Sequence, residues 1–417
     1  MQRRAFLRSS LGALVGGALL ARPARAADAA QRKFIFVGAQ GGWDATRVFQ
    51  PVFDIPGAHV EPGIQPRFVG DLGYIAHPGR PSVDSFFEAW ASQSVILNGV
   101  LVPSIAHDIC RMLVLTGSVS GVSADWPALI ASEGAPRVLP HVVIGGPSFP
   151  GDRGTAVART GGFGQLESLL SGSALDASDV PVRAPLAPEE SLLDRWVSRR
   201  TAAWASAQRA PSAAALATSL TSSIDRATAL KELRWIVDFS GGSDFVSQAA
   251  VAVDVLTRGV SRCVSLESGG SSLVWDTHAS NDQIQSYLFE DLFYGLKQLA
   301  QMLALTPGEV APTLLEETTV VVFSEMGRTP QLNDADGKDH WPYTSVLLFG
   351  AGLAGGRVIG GLDQSYYGVP VDPVSGDIAG EGVAPDTSAL GATLLTLADV
   401  DPAEFVPGAE PIGGVIA

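Results

Sequence analysis

Short β-prone apolar runs recur along this chain, and long stretches of helical pattern separate them. The runs are Lys33-Phe34-Ile35-Phe36-Val37-Gly38, Ser94-Val95-Ile96-Leu97, His141-Val142-Val143-Ile144, Cys263-Val264-Ser265-Leu266, Thr318 to Phe323 and Ser345 to Phe349. The helical patterns lie around 190–208, 212–238, 243–258 and 283–305, with shorter ones at His107 to Leu115, stopped by Thr116-Gly117, and at Ser388 to Ala398. Strands that alternate with helices imply a mostly parallel central sheet with helices on both faces, an α/β three-layer sandwich. Ligands of such sheets collect beyond the carboxyl ends of the strands, so the residues that follow each apolar run are the first candidates for chemistry.

The amino-terminal residues do not belong to that pattern. Gln2-Arg3-Arg4-Ala5-Phe6-Leu7-Arg8 is a twin-arginine pattern, Leu11 to Ala21 is an apolar core, and Ala24-Arg25-Ala26 is an A-x-A cleavage site. Residues 1–26 read as an export signal that sends the folded protein to the periplasm or beyond. The apolar run is too short to span a bilayer, which takes roughly 20 apolar residues, and no later run reaches that length. Residues 27–417 read as a single domain. The stretch at about 150–240, rich in Ala, Ser, Gly and Pro and free of histidine, reads as a helical insertion or cap on it.

Composition narrows the function. A 46% hydrophobic, 17% charged chain is globular with a substantial core. Its net charge of −15 argues against nucleic acid or anionic lipid as a partner. Two cysteines, Cys110 and Cys263, allow at most one disulfide, and separate buried thiols are the alternative.

Two of the six histidines stand next to aspartate in loops: Trp275-Asp276-Thr277-His278 and Asp339-His340-Trp341-Pro342. Asp-x-His turns two donors toward one side of an extended or turning backbone, and a second histidine from another loop completes a two-histidine, one-carboxylate set of the kind that binds catalytic zinc or a related ion. The run Thr319 to Phe323 leads directly into Ser324-Glu325-Met326-Gly327-Arg328-Thr329-Pro330, which puts a carboxylate and a guanidinium at the same rim or pairs them with each other. Asp44, in Gly41-Gly42-Trp43-Asp44, follows the first run.

These motifs together, GGWD, WDTH, SEMGRTP and DHWPYTSVLLFGAGLAGGRVIG behind a twin-arginine leader, identify a resemblance to the exported bacterial family known as domain-of-unknown-function 1501. That family is similar in outline to the alkaline phosphatase and sulfatase superfamily, and the resemblance spans most of the chain. It implies an alkaline-phosphatase-like fold and two metal ions. One ion falls to Asp276, His278 and His340; the other falls to Asp44, Glu325 and the nucleophile. The superfamily's Ser-Asp-His-Gly turn reads Ser324-Glu325-Met326-Gly327 here, and a thioether suits a hard ion poorly. The nucleophile slot falls on His107, with Arg111 and Thr116-Gly117 at the expected spacing behind it. His107 is then a nucleophile or a ligand that fills the gap left by Met326. Arg111 and Arg328 are the groups to hold anionic ester oxygens. The implied activity is metal-dependent hydrolysis of a phosphate or sulfate ester, on a small molecule or a glycan, with zinc, manganese or calcium as the ion. The alternative is a non-catalytic metal-binding protein that works with partner proteins in the cell envelope.

Overall fold

The computed structural model describes residues 28–160, 166, 187–233, 243–269 and 273–417; the leader at 1–26 lies outside the described residues. Twelve strands are present among them: β1 (Lys33–Ala39), β2 (Gln65–Val69), β3 (Leu72–Ala76), β4 (Ser94–Leu101), β5 (His141–Val143), β6 (Val157–Arg159), β7 (Cys263–Ser268), β8 (Thr318–Phe323), β9 (Gly327–Arg328), β10 (His340–Trp341), β11 (Tyr343–Gly350) and β12 (Arg357–Gly360). Eight of these form the central sheet in the order β12-β4-β11-β8-β1-β7-β5-β6. All neighbours in it run parallel except β11, which is antiparallel to both β4 and β8.

The alternation of side chains across the sheet builds two cores. From β1, Ile35 and Val37 enter one hydrophobic cluster while Phe34 and Phe36 enter the other. β8 divides in the same way, with Val320 and Val322 on one face and Val321 and Phe323 on the opposite one, and so does β11, with Leu347 and Phe349 against Val346 and Leu348. The first face is covered by the helices Pro81–Trp90, Phe245–Thr257 and Asn281–Leu305, the second by His107–Thr116, Trp126–Glu133 and Thr387–Leu397. This is the three-layer α/β sandwich that the alternation of runs implies. Each fully buried Val, Leu, Ile or Phe side chain contributes roughly 1.5–3 kcal/mol to it, which explains why the apolar runs are so nearly continuous.

Between 150 and 240, the described residues give the edge strand β6 and two long helices, Ala187–Ala207 and Pro211–Leu233. The helical pattern at 212–238 runs past Leu233 into residues outside those described. Cys110 and Cys263 are both buried and free. No helix among the described residues is long and apolar enough to cross a membrane.

The strand directions decide where loops meet. Segments after β1, β4, β7 and β8 all emerge at one edge of the sheet, and because β11 is reversed, the segment leading into it arrives at that same edge.

Candidate metal centre

Buried tryptophans fasten the loops at that edge. Trp43, after β1, and Trp275, after β7, are both fully buried and pack against Phe289 of the Asn281–Leu305 helix, with ring centroids 5.8 and 5.0 Å from it. Their indole N–H groups donate to Thr344 Oγ1 at 2.9 Å and to the Ser268 carbonyl at 3.1 Å. With Trp275 held inward, its neighbour Asp276 turns out toward the rim. Gly41 makes the close approach possible: at φ 126° it lies against the Trp275–Asp276 backbone, and a Cβ there would fall 2.6 Å from the Asp276 nitrogen.

Four residues from three loops converge. His107 opens the helix after β4, Asp276 and His278 follow β7, and His340 lies in β10, paired opposite Arg328 of β9. One ligand atom each from His107, Asp276 and His340 lies within 4.8 Å of the others. His107 Nε2 is 3.3 Å from Asp276 Oδ2, while the Nε2 atoms of His278 and His340 are each 3.2 Å from Asp276 Oδ1 and 3.0 Å from one another.

The outer ring nitrogens have separate partners. His107 Nδ1 lies 2.9 Å from Glu325 Oε1, His278 Nδ1 lies 2.8 Å from Asp339 Oδ1, and His340 Nδ1 lies 2.8 Å from the Ile105 carbonyl. Ionised carboxylates and carbonyls only accept, so each Nδ1 donates to its outer partner, and each ring turns its Nε2 edge toward Asp276 and the shared space. His107 Nε2 is buried and makes no hydrogen bond among the described residues. The centre of the cluster is therefore three imidazole Nε2 edges around one carboxylate, ligand types that suit a divalent cation. Burial would raise the Asp276 carboxyl, but the Arg328 and His340 hydrogen bonds overcome it and hold Asp276 down to about 2. The Glu325 hydrogen bond pushes His107 above the ordinary imidazole range, against the opposing effect of burial.

The structure brings Asp276, His278 and His340 to one point and adds His107 to them. Asp44, Glu325 and Arg328 take other places than the resemblance implies. Asp44 is fully buried in an ion pair with Lys338 at 2.8 Å and Arg47 at 2.9 Å. Glu325, also fully buried, accepts from the Gly41 amide on both oxygens, at 2.8 and 2.9 Å, and orients His107. Arg328 is not paired with Glu325. Its guanidinium donates to the carbonyls of Gly41, Gly42, Trp275 and Lys338 and to Asp276 Oδ1 at 2.5 Å, so it staples the loops and, being buried, is not presented to ester oxygens. Arg111 differs: it donates through Nε to Gln40 Oε1 at 2.9 Å and through Nη1 to Asp108 at 3.3 Å, it is about a third exposed, and Nη2 is uncommitted among the described residues. Met326 is buried with Val102, Cys110 and Leu113, clear of the cluster. Asp339, adjacent to His340 in sequence, is the orienting group that the sequence signalled only by proximity; Lys338, Gln40 and Asn281 had no such signal.

Comparison with solved structures finds distant likenesses across nearly the whole chain. They include the C-terminal periplasmic domain of EcEptC from Escherichia coli, 9% identical, TM-score 0.40, over 92% of this chain and 86% of that one. Phosphonate monoester hydrolase of Agrobacterium radiobacter is 12% identical, TM-score 0.34, over 92% and 78%. PsFucS1 sulfatase from Pseudoalteromonas sp. is 10% identical, TM-score 0.31, over 91% and 73%. No curated protein matches the sequence. Residues 31–380 match the family model described as "Protein of unknown function (DUF1501)", and the chain belongs to that family.

Proposed function

We propose that this chain is an exported hydrolase of anionic esters that holds one divalent ion between His107, Asp276, His278 and His340. The observation that carries the reading is the convergence of ligand groups: three Nε2 edges lie within 3.3 Å of one carboxylate, and the Nε2 atoms of His278 and His340 come within 3.0 Å of one another. Three imidazoles with one carboxylate suit zinc or manganese better than calcium, which takes six to eight oxygens. When bound, the ion polarises the ester and lowers the pKa of a bound water toward ~7.

The chain's own groups do the rest. Glu325, Asp339 and the Ile105 carbonyl keep the three rings in the tautomer that offers Nε2, and Arg328 holds Asp276 in place. Arg111 presents its free Nη2 to the anionic oxygens of a phosphate or sulfate ester on a small molecule or glycan. The leader at 1–26 carries the folded protein out of the cytoplasm. A covalent route is disfavoured. Glu325 holds His107 Nδ1, this reading assigns Nε2 to the ion, and burial pushes the Cys110 thiol up to about 11. Lack of an activated nucleophile also favours the second reading, a non-catalytic metal-binding protein acting with envelope partners.

The test is metal content of the folded protein beside His107→Ala and His340→Ala. The wild type is expected to carry a divalent ion that both variants lose; equal content in all three ends the reading. If the ion is held but aryl phosphates, phosphodiesters and aryl sulfates are not turned over, the non-catalytic reading stands.

A further inference from the structure

Behind the candidate centre lies a second buried polar cluster, centred on Asp44. Five donors fall on its carboxylate. Oδ1 accepts from Thr46 N at 3.2 Å and Thr46 Oγ1 at 2.6 Å; Oδ2 accepts from Arg47 Nε at 2.9 Å and Asn281 Nδ2 at 2.8 Å and pairs with Lys338 Nζ at 2.8 Å. A carboxylate has about four lone-pair sites, so none is left for another ligand. Charge is balanced as well: Asp44, Glu61 and Asp282 are met by Arg47, Arg80 and Lys338, and Asp44 and Lys338 are both fully buried.

We infer that Lys338 is a built-in cation standing at Asp44 where the superfamily resemblance puts a second ion, so that the chain takes one divalent ion and not two. The donor set at Asp44 does not fit a metal: a dication there would have to displace an ammonium and an amide N–H from a carboxylate already saturated, and would leave buried positive charge without an acid to match it. Lys338 also ties the neighbouring loops together, its amide donating to the Thr277 carbonyl at 3.0 Å and its carbonyl accepting from Arg328 Nη1 at 3.0 Å. A lysine two residues before His340 thus supplies the charge that a diffusible ion would otherwise bring, and it cannot be lost to a chelator. The inference rests on the one-ion reading above and narrows it to a stoichiometry.

The experiment is titration of the folded chain with zinc alone, read by native mass spectrometry. One ion per chain is expected for the wild type and also for Asp44→Asn; two ions in the wild type, or loss of the ion in Asp44→Asn, overturns the inference. An empty wild type overturns the one-ion reading as well, and this distinguishes the two failures. Lys338→Met removes the ammonium but leaves four donors on Asp44, from Thr46, Arg47 and Asn281. It is expected to melt at a lower temperature and still to bind one zinc, and Asp44→Asn/Lys338→Met, which removes the buried carboxylate charge as well, is expected to recover part of that loss. A folded Lys338→Met that melts as the wild type does also overturns the inference, and if that variant does not fold, the wild type and Asp44→Asn decide.

Discussion

His107 shows how much one side chain's role depends on a distant partner. With Glu325 on Nδ1, the ring must offer Nε2 to Asp276, and Glu325 is in turn clamped by the Gly41 amide. Glu325→Gln keeps the size and removes the charge that fixes this tautomer. We expect it to weaken ion affinity about 10- to 100-fold, the range typical for groups that orient ligands, without loss of fold. A zinc or manganese titration against a competing chelator measures this, and unchanged affinity would show that His107 is not held by Glu325 for ion binding. Asp276, His278 and His340 were legible because each histidine has an aspartate within two positions in sequence, although only the Asp276–His278 contact is local and Asp339 pairs across loops with His278. Asp44 and Arg328 were not. Asp44 is claimed by Lys338, almost 300 residues later, and Arg328 by carbonyls of the loops after β1 and β7. Saturation of a carboxylate or a guanidinium is a property of the assembled neighbourhood, which no motif records.

Among the elements, the apolar runs mapped onto strands because burial on both faces requires continuous hydrophobicity. β8 spans the same residues as its run, Thr318–Phe323, and the helix after β4 ends at Gly117, whose φ of 66° closes it in the left-handed conformation. The β2–β3 hairpin leaves no pattern in the sequence because β2, Gln65-Pro66-Arg67-Phe68-Val69, is mostly exposed and carries no buried alternation. The Trp126–Glu133 helix carried a readable start, with Asp125 accepting from the Ala128 amide at 2.9 Å and Pro127 in its first turn. Helix contacts also reverse a simple propensity argument at Gly295. In an isolated helix, Gly295→Ala would add about 1 kcal/mol of stability. Here the Asn281–Leu305 helix abuts Phe245, and a Cβ at Gly295 would lie 2.1 Å from Phe245 Cδ1. Overpacking of this kind costs about 1–3 kcal/mol, so Gly295→Ala is expected to lower the melting temperature. A calorimetric rise instead would mean that the two helices separate freely.

For the whole molecule, pH acts through a histidine far from the candidate centre. His141 in β5 is fully buried, with Nε2 2.8 Å from Ser265 Oγ and Nδ1 unpartnered among the described residues. Burial, with the nearby charge of Arg159, holds it down to about 3. The folded protein therefore refuses a proton that the unfolded chain accepts near 6.5. Stability from this residue is fully present above about pH 6.5 and is lost as pH falls from there toward 3. His141→Gln should flatten the fall of melting temperature between pH 6.5 and 4; an unchanged slope would assign the acid sensitivity to other groups.

The reversed strand β11 carries a consequence for how the sheet is held together. It is threaded between β4 and β8, which flank it from residues 94 and 318 onward, and its leading end delivers His340. His107, Asp276 and His340 share one neighbourhood only when β4, β7 and β11 occupy their places in the sheet. A cation held there, as proposed, would rivet the ends of three strands drawn from distant parts of the chain.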